Sequence, residues 1–159
     1  MTRGPISLAC RMTSLALRSP RNEPIGGPRR SFLTDPACDS FRGVLGHLRE
    51  SCPAGKPVVV RTAWLKEDAA GECIRRAERF VIRLNRNLDE QMATDALLHE
   101  WAHALAWNFR LDMLARAGKT SPEEFQVAAH DEAWGCVYSR VWRAYLARSE
   151  DMRGASLYG

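Results

Sequence analysis

The sequence predicts an α+β fold, in which a small sheet packs against helices within one domain. Three observations lead there. Two β-rich segments, PVVVRTAW (57–64) and RFVIRLN (79–85), stand close together. At about residue 87 the apolar pattern changes from alternation to steps of three and four. Two capping-box signatures then open long helical stretches. A chain of 159 residues can bury a genuine core, and 45% hydrophobic with 26% charged residues is ordinary globular composition, neither disordered nor fibrous.

Residues 1–30 mix Pro, Gly, Ser and Arg, as in RSPRNEPIGGPRR, and read as a flexible arm outside the core. The domain proper is expected over 31–150, with a C-terminal tail at 151–159. The arm holds six arginines (Arg3, Arg11, Arg18, Arg21, Arg29, Arg30) against one acid, Glu23. The remaining 17 basic and 18 acidic side chains leave the rest of the chain at −1, although the whole carries +4. The folded part therefore has no general positive field for nucleic acid, and any weak nucleic-acid contact would rest on the arm.

A helix follows from about Asp35 to Ser51, with Phe41, Val44, Leu45 and Leu48 on one face and Cys52, Pro53 and Gly55 ending it. The two strand segments come next. Between them, residues 66–77 form a polar loop containing Gly71, with room for a third short strand. Asn87 is the expected N-cap of the next helix, with Glu90 at N3, and the helix should run from about Leu88 to Phe109. Its core stripe is Leu98, Trp101, Leu105 and Phe109, with Leu97 and Ala102 alongside. Arg110–Lys119 reads as a connector. SPEE at 121–124 signals another capping box with Pro122 at N1, opening helical structure to about Arg148 whose inner face is Trp134, Val137, Val141 and Tyr145.

No apolar run reaches the roughly 18 residues of a membrane span, so a soluble protein is expected, without a membrane partner. Five cysteines (Cys10, Cys38, Cys52, Cys73, Cys136) are scattered and never spaced C-x-x-C, which argues against a disulfide framework or a cysteine-based zinc site and predicts a reducing cytoplasm. Arg11 interrupts any secretory signal core.

The chemistry lies in ALLHEWAHALAW (96–107), where three titratable side chains stand among core residues. Leaving such groups buried and unpaired costs roughly 1–3 kcal/mol each, and a metal removes that cost. His99 and His103 are four residues apart, so a helix projects both imidazoles from one face, able to meet one zinc ion. Glu100 lies about 100° round the helix, placed to take a proton from water rather than to ligate. Catalytic zinc usually keeps three protein ligands, and the third is sought in AAHDEAWGCVY (128–138). His130 is the first choice and Glu132 the runner-up. Asp131 could ligate, cap a helix, or accept a hydrogen bond from a ligating imidazole and so orient it. Cys136 is the soft-ligand choice, better suited to a small apolar helix position. His47, on the first helix, reads as a surface or packing residue.

LLHEWAHAL followed by HDEAW resembles the SprT-like metallopeptidase domain of bacterial and prophage proteins, over about residues 35–148. The resemblance implies a zincin-like fold with an active-site helix bearing H-E-x-x-H, matched by His99, Glu100 and His103. It also implies a later H-x-x-x-aromatic motif at the start of the C-terminal helix, matched by His130 and Trp134, with His130 as the third zinc ligand. Two features depart from the pattern. Asp131 stands where a glycine often follows the third histidine, and the cysteine-rich zinc ribbon of many members is absent, so their DNA-linked roles are not implied.

The expected function is thus zinc-dependent hydrolysis of a peptide bond in a peptide or protein substrate, with Glu100 as general base and then proton shuttle. The alternative keeps the zinc and drops catalysis: a zinc-stabilised binding or regulatory module that could contact DNA through the arm. A metal-free interaction protein is the third class. Zinc peptidases commonly hold substrate as an added strand on a sheet edge, and RFVIRLN reads equally well as such an edge or as an ordinary structural strand. Tyr138, Tyr145 and Arg140 are available as electrophiles, none of them singled out, and Trp101 and Trp107 read as packing.

Overall fold

The computed structural model describes residues 6–8, 33, 39–66, 69–117 and 120–156. Along the chain these form β1 (Ile6–Leu8), α1 (Asp39–Ser51), β2 (Val58–Ala63), β3 (Gly71–Arg75), β4 (Phe80–Asn85), α2 (Glu90–Ala106), α3 (Phe109–Ala117), α4 (Pro122–Ala129) and α5 (Glu132–Ser156). The class is α+β, as the sequence implies. Both anticipated strands are present, and the loop between them contains the third. Within the arm, Ile6–Leu8 pair with the sheet, while its arginines lie outside the described residues. Among the described residues no helix is long and apolar enough to cross a membrane.

The sheet runs in the order β1-β3-β4-β2. β2 and β4 pair in parallel, from Val58 opposite Phe80 to Ala63 opposite Asn85. β3 is antiparallel to β4, with Gly71 opposite Leu84 and Arg75 opposite Phe80. RFVIRLN is therefore central, the ordinary structural strand of the two sequence alternatives and not the edge. Its alternation reflects the two faces of an interior strand: Phe80, Ile82 and Leu84 are buried against helices. Which strands flank it is a matter of topology that alternation does not encode.

Helices cover the core side of the sheet. Phe41 and Leu48 of α1, Leu97, Leu98 and Trp101 of α2 and Val141 of α5 are all but completely buried in one cluster with Ile82 and Leu84. The indole N–H of Trp101 donates to the Cys52 carbonyl at 2.9 Å, so the largest core side chain leaves no polar atom unmet. Cys52 and Cys73 are buried, and Cys136 is exposed.

Three helix boundaries differ from expectation. Asp89, not Asn87, caps α2, accepting from the Met92 N–H at 2.8 Å. Asn87 is held in a turn, its N–H donating to the Asn85 side chain at 3.2 Å, and Glu90 reaches across to accept from the Phe41 N–H of α1 at 2.8 Å. The carboxylate read as half of a capping box instead caps a neighbouring helix. Secondly, α2 stops at Ala106, and the presumed connector is helix α3. Asn108 caps it through the Leu111 N–H at 3.0 Å, and Trp107 donates to Asp112 at 2.7 Å. Phe109 consequently leaves the core stripe and is 75% exposed. Thirdly, the last helical stretch is two helices, with a break at His130. The Ser121–Glu124 capping box opens α4 as read from SPEE, and α5 continues to Ser156 through the stretch first assigned to a tail.

Candidate metal centre

α2 brings its polar groups into the core because everything around them is apolar. Ala96, Leu97, Leu98, Trp101 and Ala102 are fully or almost fully buried, and they carry His99, Glu100 and His103 with them at 8%, 0% and 2% exposure. The four-residue spacing sets both imidazoles on the face turned towards α5. Their Nε2 atoms stand 3.1 Å apart.

His130 reaches the same point from the break between α4 and α5. Its backbone N–H closes the last turn of α4 on the Gln126 carbonyl at 3.1 Å, and Asp131 starts α5 by accepting from the Trp134 N–H at 3.0 Å. The ring Nδ1 lies 2.9 Å from the Gln126 carbonyl oxygen. A carbonyl only accepts, so Nδ1 carries a proton and Nε2 is the nitrogen turned inward, the arrangement a metal ligand needs. That Nε2 lies 3.2 Å from Nε2 of His99. Two nitrogens about 2.05 Å from a tetrahedral metal would stand about 3.3 Å apart, so both separations suit a single ion. Among the described residues, His99, His103 and His130 form the group able to hold a metal ion. Imidazole donors suit zinc and also copper, iron and nickel.

Burial sets the charge state. It pulls His99 down to about 4, with a smaller push from His130, and His103 down to about 2, with smaller pushes from His99 and His130. Both rings are neutral at physiological pH, the form in which imidazole coordinates a metal. Glu100 is driven the other way. Burial raises its pKa well above the ordinary carboxyl value, and the neighbouring Glu72 adds to the rise. Neither carboxyl oxygen of Glu100 has a hydrogen-bond partner among the described residues. The side chain lies against β3: a Cβ on Gly71 would stand 2.9 Å from Glu100 Cγ and 3.3 Å from its Oε1. Glycine is required at that position by close approach. Asn85 anchors the chain just before it, its amide donating to the Ala69 carbonyl at 3.0 Å.

An aromatic wall backs the histidines. Trp134 packs on all three rings, with centroids 5.0 Å from His99, 5.4 Å from His103 and 4.7 Å from His130. Tyr138, one turn on, stacks on Trp134 at 4.9 Å and meets the edge of His99 at 6.1 Å. The sequence marked Trp134 as an inner-face residue but gave no sign that it fastens three ligand candidates at once. Gly71 and Asn85 were also missed as supports of the site, because their roles exist only once β3 is set beside α2.

The other sequence candidates stand apart from this group. Glu132 is exposed on the first turn of α5, Asp131 spends a carboxylate oxygen on the helix cap, and Cys136 and Arg140 are exposed. His47 lies 3.1 Å from the Ala144 carbonyl, tying α1 to α5. Tyr145 packs at the core margin.

Compared with known proteins, the chain matches no family model, and neither the curated proteins nor the solved structures contain a match to it.

Proposed function

We propose that the protein is a zinc-dependent peptidase of zincin-like architecture, related to the SprT-like domain, in which His99, His103 and His130 hold the metal. The observation that carries this reading is the pairing of two features on neighbouring residues. Three imidazoles converge on one point, and beside them a wholly buried carboxyl has neither oxygen hydrogen-bonded. A structural zinc site favours four protein ligands and has no use for a buried, unpartnered acid. Three ligands with an adjacent acid suit a hydrolytic site.

A zinc ion held there supplies a Lewis acid that lowers the pKa of water and polarises a carbonyl. The chain's own residues do the rest. Glu100 accepts a proton from the attacking water and returns it to the leaving amine. A divalent charge near its carboxyl lowers the pKa that burial raises, bringing it towards the range of a working base. His130 is fixed in its ligating tautomer by Gln126, and Trp134 restricts rotation of all three rings.

The test begins with metal. Protein purified without added metal is expected to carry one zinc per chain by elemental analysis, and His99→Ala or His130→Ala to lose it, while Glu132→Ala keeps it. Glu100→Gln should retain zinc and cleave casein at least a hundredfold more slowly than the parent. Equal rates for Glu100→Gln and the parent would sink the peptidase reading. One zinc per chain without cleavage would favour a zinc-stabilised binding module.

A further inference from the structure

The site-side edge of the sheet is covered by the chain itself. Within the sheet α2 packs against β3 and β4, so the sheet edge beside Glu100 belongs to β3 rather than β2. An edge strand normally leaves a row of backbone groups open, yet Gly71, Glu72, Cys73 and Ile74 are all buried. The strand paired along this edge, from Arg75 to Cys73, is β1. It runs antiparallel, with Ile6 opposite Arg75, Ser7 opposite Ile74 and Leu8 opposite Cys73. Its direction is towards the Gly71 end of β3, the end that lies on Glu100.

We infer that the outer edge of β3 is a strand-accepting subsite for an extended peptide, and that Ile6–Leu8 occupy it in cis, so that an incoming peptide must first displace β1. The incoming strand is identified as substrate only through the peptidase reading, on which the inference rests to that extent. The occupant is placed by the register.

Two features make β1 displaceable. It pairs over three residues, against five for β3 with β4 and six for β4 with β2, so few ladder bonds hold it. It is also tethered through the 30 residues from Ala9 to Cys38, which include four prolines and two glycines, so keeping it in place costs loop-closure entropy. A peptide that adds a strand to the same edge takes up the same backbone groups. The pairing therefore restrains the site in the resting chain and yields to a partner offering a longer strand.

The experiment uses binding as well as turnover. A fluorescent peptide of residues 1–12, with Cys10→Ser, is titrated into zinc-loaded Glu100→Gln protein, full length and lacking residues 1–10. The shortened chain is expected to bind at least tenfold more tightly than the full one. A Ser7→Pro, Leu8→Pro double variant of the full chain, which keeps its length but removes whichever of the two successive N–H groups faces β3, is expected to bind likewise. In the active background, removing residues 1–10 should raise kcat/KM on casein at least fivefold, and the peptide should inhibit the shortened enzyme. If the zinc-loaded shortened chain binds no peptide, or the full and shortened chains bind equally, the edge assignment is overturned whatever the turnover. If the shortened chain binds peptide but neither form cleaves protein, the edge assignment stands and the peptidase reading fails.

Discussion

The two sides of the histidine cluster are built by opposite means. His99 and His103 ride on an unbroken, buried helix whose neighbours are alanine, leucine and tryptophan. Their position follows from the 1.5 Å rise of that helix and from core packing that leaves them almost no exposure. His130 sits at a break between two helices, half-buried, positioned by hydrogen bonds to Gln126 and by the Asp131 cap that starts α5. One side depends on packing that the whole domain maintains; the other depends on a few local polar contacts. The core side should therefore be the more costly to disturb, and the break the more readily adjusted.

Removing ligands tests this most severely. Structural zinc sites bind with about 10–16 kcal/mol shared among four ligands, so one lost imidazole costs on the order of 3 kcal/mol, or about a hundredfold in affinity. His99→Ala and His103→Ala are expected to lose zinc by at least that factor in a chelator competition. Each also opens a cavity in the core, so the melting temperature of the metal-free protein should fall as well. His130→Ala should lose comparable zinc affinity while leaving metal-free stability nearly unchanged. An equal loss of metal-free stability in all three variants would erase the distinction between the two sides.

The same contrast explains what the sequence disclosed. The core side was legible because it is written in periodicity: a helix at 3.6 residues per turn sets positions 99 and 103 on one face whatever the tertiary structure. The strands were legible for the same reason. What stayed hidden depends on competition among polar caps and on strand order. Asn85 draws Asn87 into a turn and leaves Asp89 to start α2, Asn108 starts α3 where a connector was expected, and Asp131 divides one helical pattern into two. Each of these asparagines or aspartates is an acceptable cap in sequence, and only the surrounding packing selects among them. The placement of β4 at the centre, and of β1 against β3, is non-local and leaves no trace in alternation.

Acidification is the next largest lever, and it acts on the core side. His99 and His103 have folded pKa values of about 4 and about 2, below the ordinary 6.5. A depressed folded value means the unfolded chain takes up protons first. The stability these neutral rings contribute is complete above about pH 6.5 and is lost as pH falls towards their folded values. At pH 5 each withdraws on the order of 2 kcal/mol from the metal-free protein. Urea midpoints at pH 7.5 and pH 5 should show a marked drop in the parent and a much smaller one in a His99→Leu, His103→Leu double variant. Zinc affinity should fall over the same interval, since protons compete for the same lone pairs.

Gly71→Ala presses on the core side without touching a ligand. The added methyl would stand 2.9 Å from Glu100 Cγ and 3.2 Å from Leu84 Cδ2, and both neighbours are buried. Overpacking of this kind costs on the order of 2 kcal/mol. The displaced group is the proposed base, so casein cleavage should fall at least tenfold while one zinc per chain is retained. Full activity with a lowered melting temperature would show that Glu100 tolerates displacement, and would remove the need for close support from β3.

The smallest expected effect belongs to the break. Asp131→Ala deletes the acceptor for the Trp134 N–H and should cost about 1 kcal/mol in stability, the ordinary worth of a helix cap. Trp134 is the side chain that packs on all three imidazoles, so loosening the first turn of α5 also loosens the wall behind the ligands. A zinc affinity weakened about tenfold is expected, in the range of outer-shell substitutions at metal sites. Asp131→Asn restores a capping oxygen without the charge and should recover most of both losses. If Asn rescues stability but not zinc binding, the carboxylate charge acts on the metal directly, and Asp131 belongs to the site rather than to the helix that carries it.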